Sequence, residues 1–266
     1  MGSATRQALE RTRAALAALG GEVDLATTDQ LFSAARSISG SLQLRAILAD
    51  ASTDVDHKKA AIAVVFSSSV SPTALELLTV AASSRWSNDN EMLGGIEDLA
   101  LRAAAESADS GSAIEAELFA FGRAVNSSAD LELAVGSKLG DIAAKVKLVD
   151  TLLGGKVTPQ TLSIVRHLVQ LPRGRRIGAL IRYAASVVAD QSGLAVATVT
   201  SARPIAAEQL GRLQAGLSKT YGRELRINAV VDAQVIGGIR VQVGDDVIDG
   251  SVSSKLHDLR LQLTGV

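Results

Sequence analysis

The chain has 266 residues, 47% of them hydrophobic and 21% charged, with a formal net charge of −1. Such a chain can bury a sizeable core and has room for two domains or three small units, and its near-neutral charge argues against a general attraction to nucleic acid or to an anionic membrane surface. The absence of cysteine removes disulfides, thiolate metal sites and a cysteine nucleophile together, and fits a reducing compartment. His57, His167 and His257 are far apart without metal-ligand spacing, so no metal is expected. The longest uncharged run, Ala60 to Leu75, holds four serines and a proline. It is shorter than the ~20 apolar residues a membrane-spanning helix needs, and no signal peptide is visible.

From Thr5 to about Gln191 apolar residues recur at three-and-four spacing, the helical period, and β-branched alternation begins only after Gly193. The spacing predicts helices over 3–20, 27–40, 42–50, 56–68, 72–86 and 91–108, with breaks at Gly20 and Gly21, at Gly40 and in the Ser67 to Ser71 run. The helical region repeats itself. LFSAAR at Leu31 to Arg36 returns as LFAFGR at Leu118 to Arg123, an offset of 118 − 31 = 87. Ser71 and Pro72, an N-cap followed by a first-turn proline, return as Thr158 and Pro159 at the same offset, 159 − 72 = 87. Leu44 falls on Leu131, Leu75 on Leu162 and Leu78 on Val165, so the apolar face repeats with the caps. A duplicated helical unit is implied, in which the helix near 91–108 belongs to both copies.

The last part reads as a small module of three or four strands and two helices. Leu194 to Thr200 is a strand, and Pro204 precedes a helix with Leu210, Leu213, Leu217 and Tyr221 on one face and Gly222 at its end. Leu225, Ile227, Ala229 and Val231 line the next strand. Gly237 and Gly238 then open a strand in which Ile239, Val241 and Val243 alternate with Arg240 and Gln242. A turn follows at Gly244, Asp245 and Asp246, then a short strand. Val252, Leu256, Leu259 and Leu263 have helical spacing, and Gly265 is placed to end that helix. A phosphate loop needs a helix directly after its glycines; here a strand follows. The glycine pair therefore marks a bulge or a place where another backbone comes close. The fold class is mostly α with a C-terminal α/β module: two copies of a helical bundle, 1–108 and 109–193, followed by a small α+β domain over 194–266.

A helical bundle followed by a compact module bearing VVDAQVIGGIRVQVGDDVIDGSVSSKL, Val230 to Leu256, resembles the delta subunit of rotary ATP synthases, the family that includes the mitochondrial oligomycin-sensitivity-conferring protein. The signature is the glycine pair, the alternating strand up to Gly244, then Ile248, Asp249, Gly250 and Ser251 with Lys255 and Leu256. ATRQALERTRAAL at Ala4 to Leu16 looks like the first helix of the family, and the likeness covers essentially the whole chain. The usual member has one helical bundle. The duplication looks like the long form of actinobacterial relatives, where SSRW at Ser83 to Trp86 also has a counterpart, and some of which carry a fused membrane-anchored stalk helix; nothing of that kind precedes Thr5.

The resemblance implies a non-catalytic stator subunit without a cofactor, peripheral on the cytoplasmic face of the plasma membrane. It further implies that a helical groove holds the N-terminal helices of the ATP synthase alpha subunits, and that the C-terminal module holds the b-type subunits of the peripheral stalk, with no nucleic acid and no direct membrane insertion. Helix-in-groove recognition needs an apolar stripe on each side. The groove candidates, on the first and fifth helices of a copy, are Leu9, Leu16, Leu75 and Leu78 and, in the second copy, Leu162 and Val165; each is equally a core position. Gly237, Gly238, Ile239, Val241, Val243, Gly244 and Asp249 are the stalk-module candidates.

Other features admit plainer readings. From Thr151 to Ala189 there are six basic residues and no acidic one, whereas Arg85 to Asp150 carries twelve acidic against six basic residues. With Tyr183 the one aromatic in the basic stretch, stacking platforms for nucleic acid are missing, and the charges face each other, an acidic partner or solvent. LQLPRGRRIG around Pro172 reads as a turn between helices, and Trp86 as a packing anchor. Asp245, Asp246 and Asp249 suit a turn and a helix start rather than acid–base work. The rival functions are a helical-repeat adaptor of another assembly, which has no need of the glycine-pair signature, and a soluble enzyme, which needs a pocket with convergent titratable groups.

Overall fold

A computed structural model describes residues 2–108, 111–137, 140–193, 195–222, 225–232, 235, 237–243 and 246–250. The chain divides into two compact units, Met1–Gln191 and Ser192–Val266. The first is helical: α1 (Ser3–Leu19), α2 (Leu25–Gly40), α3 (Leu42–Ala49), α4 (Val55–Phe66), α5 (Pro72–Ser83), α6 (Asp89–Glu106), α7 (Gly111–Ser127), α8 (Ala129–Gly136), α9 (Ile142–Leu153), α10 (Pro159–Gln170) and α11 (Ile177–Gln191). Local chemistry sets the ends. Asp24, Ser41, Asp54, Ser71 and Asn88 each accept a backbone N–H of the first turn they precede, as do Ser128, Asp141 and Thr158 further on, a bond typically worth ~1 kcal/mol. These caps explain small departures from periodicity: α6 starts two residues before the expected 91 because Asn88 receives Glu91 N at 2.8 Å. α5 stops at Ser83, short of the expected 86, where Ser84 turns to an extended conformation.

The repeat is literal at the level of elements. Adding 87 to the bounds of α3, α4 and α5 gives 129–136, 142–153 and 159–170, which are the bounds of α8, α9 and α10. α1 shifted by 87 falls on α6, and α6 falls on α11. Packing partners repeat too: α2 lies on α6 as α7 lies on α11, α4 on α5 as α9 on α10, and α1 on α5 and α6 as α6 on α10 and α11. The buried positions correspond, Leu31 with Leu118, Ile38 with Val125, Leu48 with Val135, Ile62 with Val149, Leu77 with Ile164 and Leu78 with Val165. Each such side chain contributes about 1.5–3 kcal/mol when fully buried. Because α6 packs against α1, α2, α3 and α5 and also against α7, α10 and α11, it is covered on almost every side: Met92, Leu93, Ile96, Leu99, Ala100, Leu101, Ala103 and Ala104 are all buried, the pattern of a core helix. Gly95 is required there, since a Cβ would overlap the Trp86 ring. Trp86 is the anchor its isolation suggested, buried and donating Nε1–H to Ala81 O at 2.8 Å.

The second unit contains β1 (Ala195–Ser201), α12 (Ala207–Tyr221), β2 (Leu225–Val231), β3 (Ile239–Val243) and β4 (Asp246–Asp249) in a sheet of order β2-β1-β3-β4. β1 and β2 are parallel and joined through α12, and the remaining pairs are antiparallel. Ala197, Val199, Leu217, Leu225, Val241 and Val243 form its core, so Val241 and Val243 do aim inward, with Ile239 packed at the margin. Gly222 ends α12 in the left-handed conformation, φ 66°. The glycine pair is not a bulge. The β1–β3 register runs unbroken from Ser201↔Ile239 to Ala197↔Val243, and the glycines lie in the bend before it, where Gly238 has φ 81°, a geometry that favours glycine. Asp249 sits in β4. Gly244, Asp245 and the expected helix through Val252, Leu256, Leu259 and Leu263 lie outside the described residues.

Candidate partner-binding surfaces

Of the six groove candidates, Leu9, Leu16, Leu78 and Val165 are buried in the helical core, while Leu75 and Leu162 are half-buried and pack against it. Only the latter pair, one residue from each copy, retains appreciable surface. The open apolar surface lies elsewhere in the first copy. A groove of about 480 Å³ runs between α3 and α4 beside the end of α2, lined by Leu44, Ile47, Ala60, Ala61, Val64 and Val65 together with Ser37, Ser41 and Gln43. Val64 is 83% exposed, and Leu42, at the start of α3, is 79% exposed. The sequence carried a signal for this: α4 buries Lys58, Ile62 and Phe66, while Ala60, Val64 and Val65 form a second, exposed apolar stripe and Ala61 packs at the margin of the core. At the same positions in the second copy stand Ala134 for Ile47, Lys147 for Ala60 and Thr151 for Val64, while Leu131, Leu148 and Leu152 stand for Leu44, Ala61 and Val65, so the duplicate carries polar side chains at two of the six apolar positions.

The second copy has its own, different groove. Ala129, Glu132, Leu133, Gly136, Ser137, Arg176 and Ile177 line about 300 Å³ between α8 and the start of α11. Glu132 and Arg176 correspond to Arg45 and Asp89 of the first copy, which form an ion pair there. The charges have exchanged places.

Half of the six basic residues pair within the unit. Arg166 pairs with Asp150 at 2.6 Å, and Arg173 and Arg175 both reach Glu97 on α6, which is fully buried. Lys156, Arg176 and Arg182 face outward. Pro172, Arg173, Gly174 and Arg175 form the turn between α10 and α11. Beside them Arg102, buried on α6, pairs with Asp98 and with Asp190 of α11, each at 2.8 Å, and the Arg175 guanidinium lies 5.7 Å from the Tyr183 ring centroid. Burial, with Asp98 and Glu97 close by, pushes the Tyr183 hydroxyl above its usual range. His167 on α10 stacks on Phe32 of α2 at 4.2 Å, with Arg36 Nη1 3.3 Å from its Nδ1. Burial first, then the charges of Arg36, Arg173 and Arg175, lower its pKa to about 3, so it is neutral and ties the two copies together as a ring rather than as a charge.

In the second unit Val247 and Ile248 of β4 are half-exposed, at the end of the sheet order. Gly237 is half-buried and Gly238 exposed in the approach to β3. Among the described residues no three His, Asp or Glu side chains gather where a metal ion would sit, and no helix is long and apolar enough to cross a membrane.

A duplicated helical unit followed by a strand–helix–strand module with a glycine pair before its third strand defines a mostly α protein with a C-terminal α/β module. Residues 99–263 match the family model described as ATP synthase delta (OSCP) subunit. The chain is 51% identical over 265 residues to the ATP synthase subunit delta of Leifsonia xyli, covering 100% of both chains. It is 36% identical to that of Streptomyces avermitilis, over 98% of this chain and 97% of the other, and 35% identical to that of an Arthrobacter species, over 96% and 98%. The chain belongs to the ATP synthase delta (OSCP) subunit family. As such it is a non-catalytic subunit of the membrane-associated ATP synthase. The family match begins inside α6, so α1 to α5 lie outside the matched residues but within the span that the full-length relatives cover.

Proposed function

We propose that the chain is the stator clamp of the synthase: 1–108 and 109–193, sharing α6, hold the catalytic hexamer through N-terminal helices of its alpha subunits, and 194–266 holds the b-type subunits of the peripheral stalk at the cytoplasmic face. A rotor exerts torque on the hexamer, and that torque is dissipated unless the hexamer is tied to the membrane part. Two attachments on one chain raise the effective concentration of each partner for the other. The observation that carries the reading is family membership over the whole chain combined with a ready apolar groove between α3 and α4, the kind of surface that takes an amphipathic helix. Leu75 and Leu162 offer a smaller apolar contribution on the fifth helix of each copy. In the second unit the exposed β4 residues Val247 and Ile248 suit a strand or helix of the stalk.

The test is binding of alpha-subunit N-terminal peptide and of stalk protein to the chain and to a version ending at Ser192. The shortened chain is expected to keep the first and lose the second; stalk binding that survives unchanged overturns the division of labour. Val64→Asp is expected to weaken peptide binding about tenfold to a hundredfold, as removal of an anchor does. Thr151→Asp, its counterpart 87 residues on, is expected to leave it unchanged.

A further inference from the structure

One turn of the helical unit departs from its counterpart. In the turn between α10 and α11, Arg173 is the single described non-glycine residue with a positive φ, 46°, and Gly174 follows at 76°. The turn 87 residues earlier, 85–89, contains no left-handed residue; Trp86 fills the position of Arg173 and is held by packing on Gly95. A left-handed conformation is strained for a residue with a Cβ and persists only where its surroundings impose it.

Charged contacts surround this turn. Arg173 donates from Nη2 to Glu97 Oε2 at 2.8 Å and from Nη1 to Asn90 O at 2.9 Å, and Arg175 Nη2 lies 2.7 Å from both oxygens of Glu97. Glu97 is wholly buried in the middle of α6, whereas Glu10, its counterpart on α1, is exposed. Each charge of a buried carboxylate answered by two arginines is costly out of water unless its partners stay in place. Arg173 and Arg175 keep 14% and 32% of their side-chain surface, so both have a path to solvent if the carboxylate is neutralised.

We infer that Glu97 is a latch: by pinning Arg173 and Arg175 it holds the turn in its left-handed form, fixes the seat of α11 on α6, and so sets the angle between the two helical copies. This goes beyond the clamp reading and does not depend on which proteins occupy the grooves. A stator that must not twist gains from a joint fixed by a directional ion-pair network rather than by apolar contact alone.

The cysteine-free chain allows a direct test. Ser69→Cys and Lys156→Cys, exposed and 87 residues apart at equivalent places of the two copies, carry spin labels in the full chain, and double electron–electron resonance gives the distance between them. The parent is expected to show one narrow distance. Glu97→Gln is expected to shift it or add a second population at undiminished helix content, since the amide cannot answer two guanidinium charges. Arg173→Gly, which removes one ion pair but accepts a positive φ without strain and leaves Arg175 on Glu97, is expected to keep the parent distance. If Glu97→Gln loses its helical signal, Arg175→Gln takes its place with the same expected shift. A parent-like distance in Glu97→Gln, or in Arg175→Gln where the first does not fold, overturns the latch, as does a shifted distance in Arg173→Gly.

Discussion

The two helical copies share their skeleton and differ in what they do with charge. Helices α3, α4 and α5 and helices α8, α9 and α10 begin and end at corresponding residues, and the core positions exchange one aliphatic side chain for another: Ile62 for Val149, Leu77 for Ile164, Ala81 for Leu168. Away from the core the copies have parted. The first has an apolar groove at Ala60 and Val64 where the second has Lys147 and Thr151, an ion pair Arg45–Asp89 where the second has Glu132 and Arg176, and Trp86 where the second has Arg173. Caps and core volume are enough to specify the bundle; the surface is free to take a different partner on each copy. The exchanged pair shows this most directly, since reversing both charges conserves an ion-pair option while inverting what a partner meets.

If α6 truly serves both copies, damage to it must be felt in both. Leu99 is buried at its middle, and Leu99→Ala is expected to cost about 2–5 kcal/mol in a single unfolding transition. Hydrogen exchange read in α2 and in α7 should quicken together. Exchange that quickens in one alone would assign α6 to that copy and break the symmetry argued above.

His167, whose counterpart is Val80, gives the second copy a pH dependence that the first lacks at that position. Its folded pKa is about 3 against an unfolded value of 6.5. Above pH 6.5 the ring is neutral in both states and costs nothing. Below it the unfolded chain takes up a proton that the folded chain refuses, so stability falls with pH until about pH 3. Between pH 7 and pH 5 this amounts to a loss on the order of 2 kcal/mol. Denaturant titrations across that range should show it, and His167→Phe, which keeps a ring against Phe32, should remove that part of the slope. An unaltered slope in the variant would place the acid sensitivity in other groups.

The fold was legible because its signals are short-range. Ser71–Pro72 and Thr158–Pro159 are local capping chemistry, and the 87-residue register made the helix order of one copy a reading of the other. The strands were legible from alternation in Ile239, Val241 and Val243. The surfaces were harder, for a reason visible in the six groove candidates. Periodicity marks which face of a helix is apolar without saying whether another helix of the same chain covers it, and Leu9, Leu16, Leu78 and Val165 are covered. Val64 and Val65 fall off the main stripe and so escaped notice, yet they are the exposed ones. The glycine pair precedes a strand, as its sequence reading has it, but a bend and a bulge look alike in sequence because both use glycine for its positive φ. The Glu97 network had no sequence signal beyond the charge asymmetry between 85–150 and 151–189, since its members lie more than seventy residues apart.

The smallest expected difference separates one hydrogen bond from its duplicate. In the first copy Gln30 Oε1 accepts the backbone N–H of Ser71 at 2.8 Å, fastening α2 to the start of α5. In the second, Glu117 stands at the equivalent place and its carboxylate accepts from Thr158 N at 3.0 Å, from Thr158 Oγ1 at 2.8 Å and from Thr161 Oγ1 at 2.5 Å, fastening α7 to the start of α10. A carboxylate also suits the positive end of a helix, where a neutral amide gains little. Hydrogen bonds to charged groups are worth about 1.5–3 kcal/mol against about 0.5–1.5 kcal/mol for neutral ones. Glu117→Ala is therefore expected to destabilise the unit by roughly 1 kcal/mol more than Gln30→Ala. Gln30→Glu, which transplants the second arrangement into the first, is expected to gain less than Glu117→Gln loses, because Ala74 stands where Thr161 supplies its hydroxyl in the second copy. Equal losses in the two alanine variants would mean that solvent screening has erased the charge and that the copies are held at this joint by packing alone.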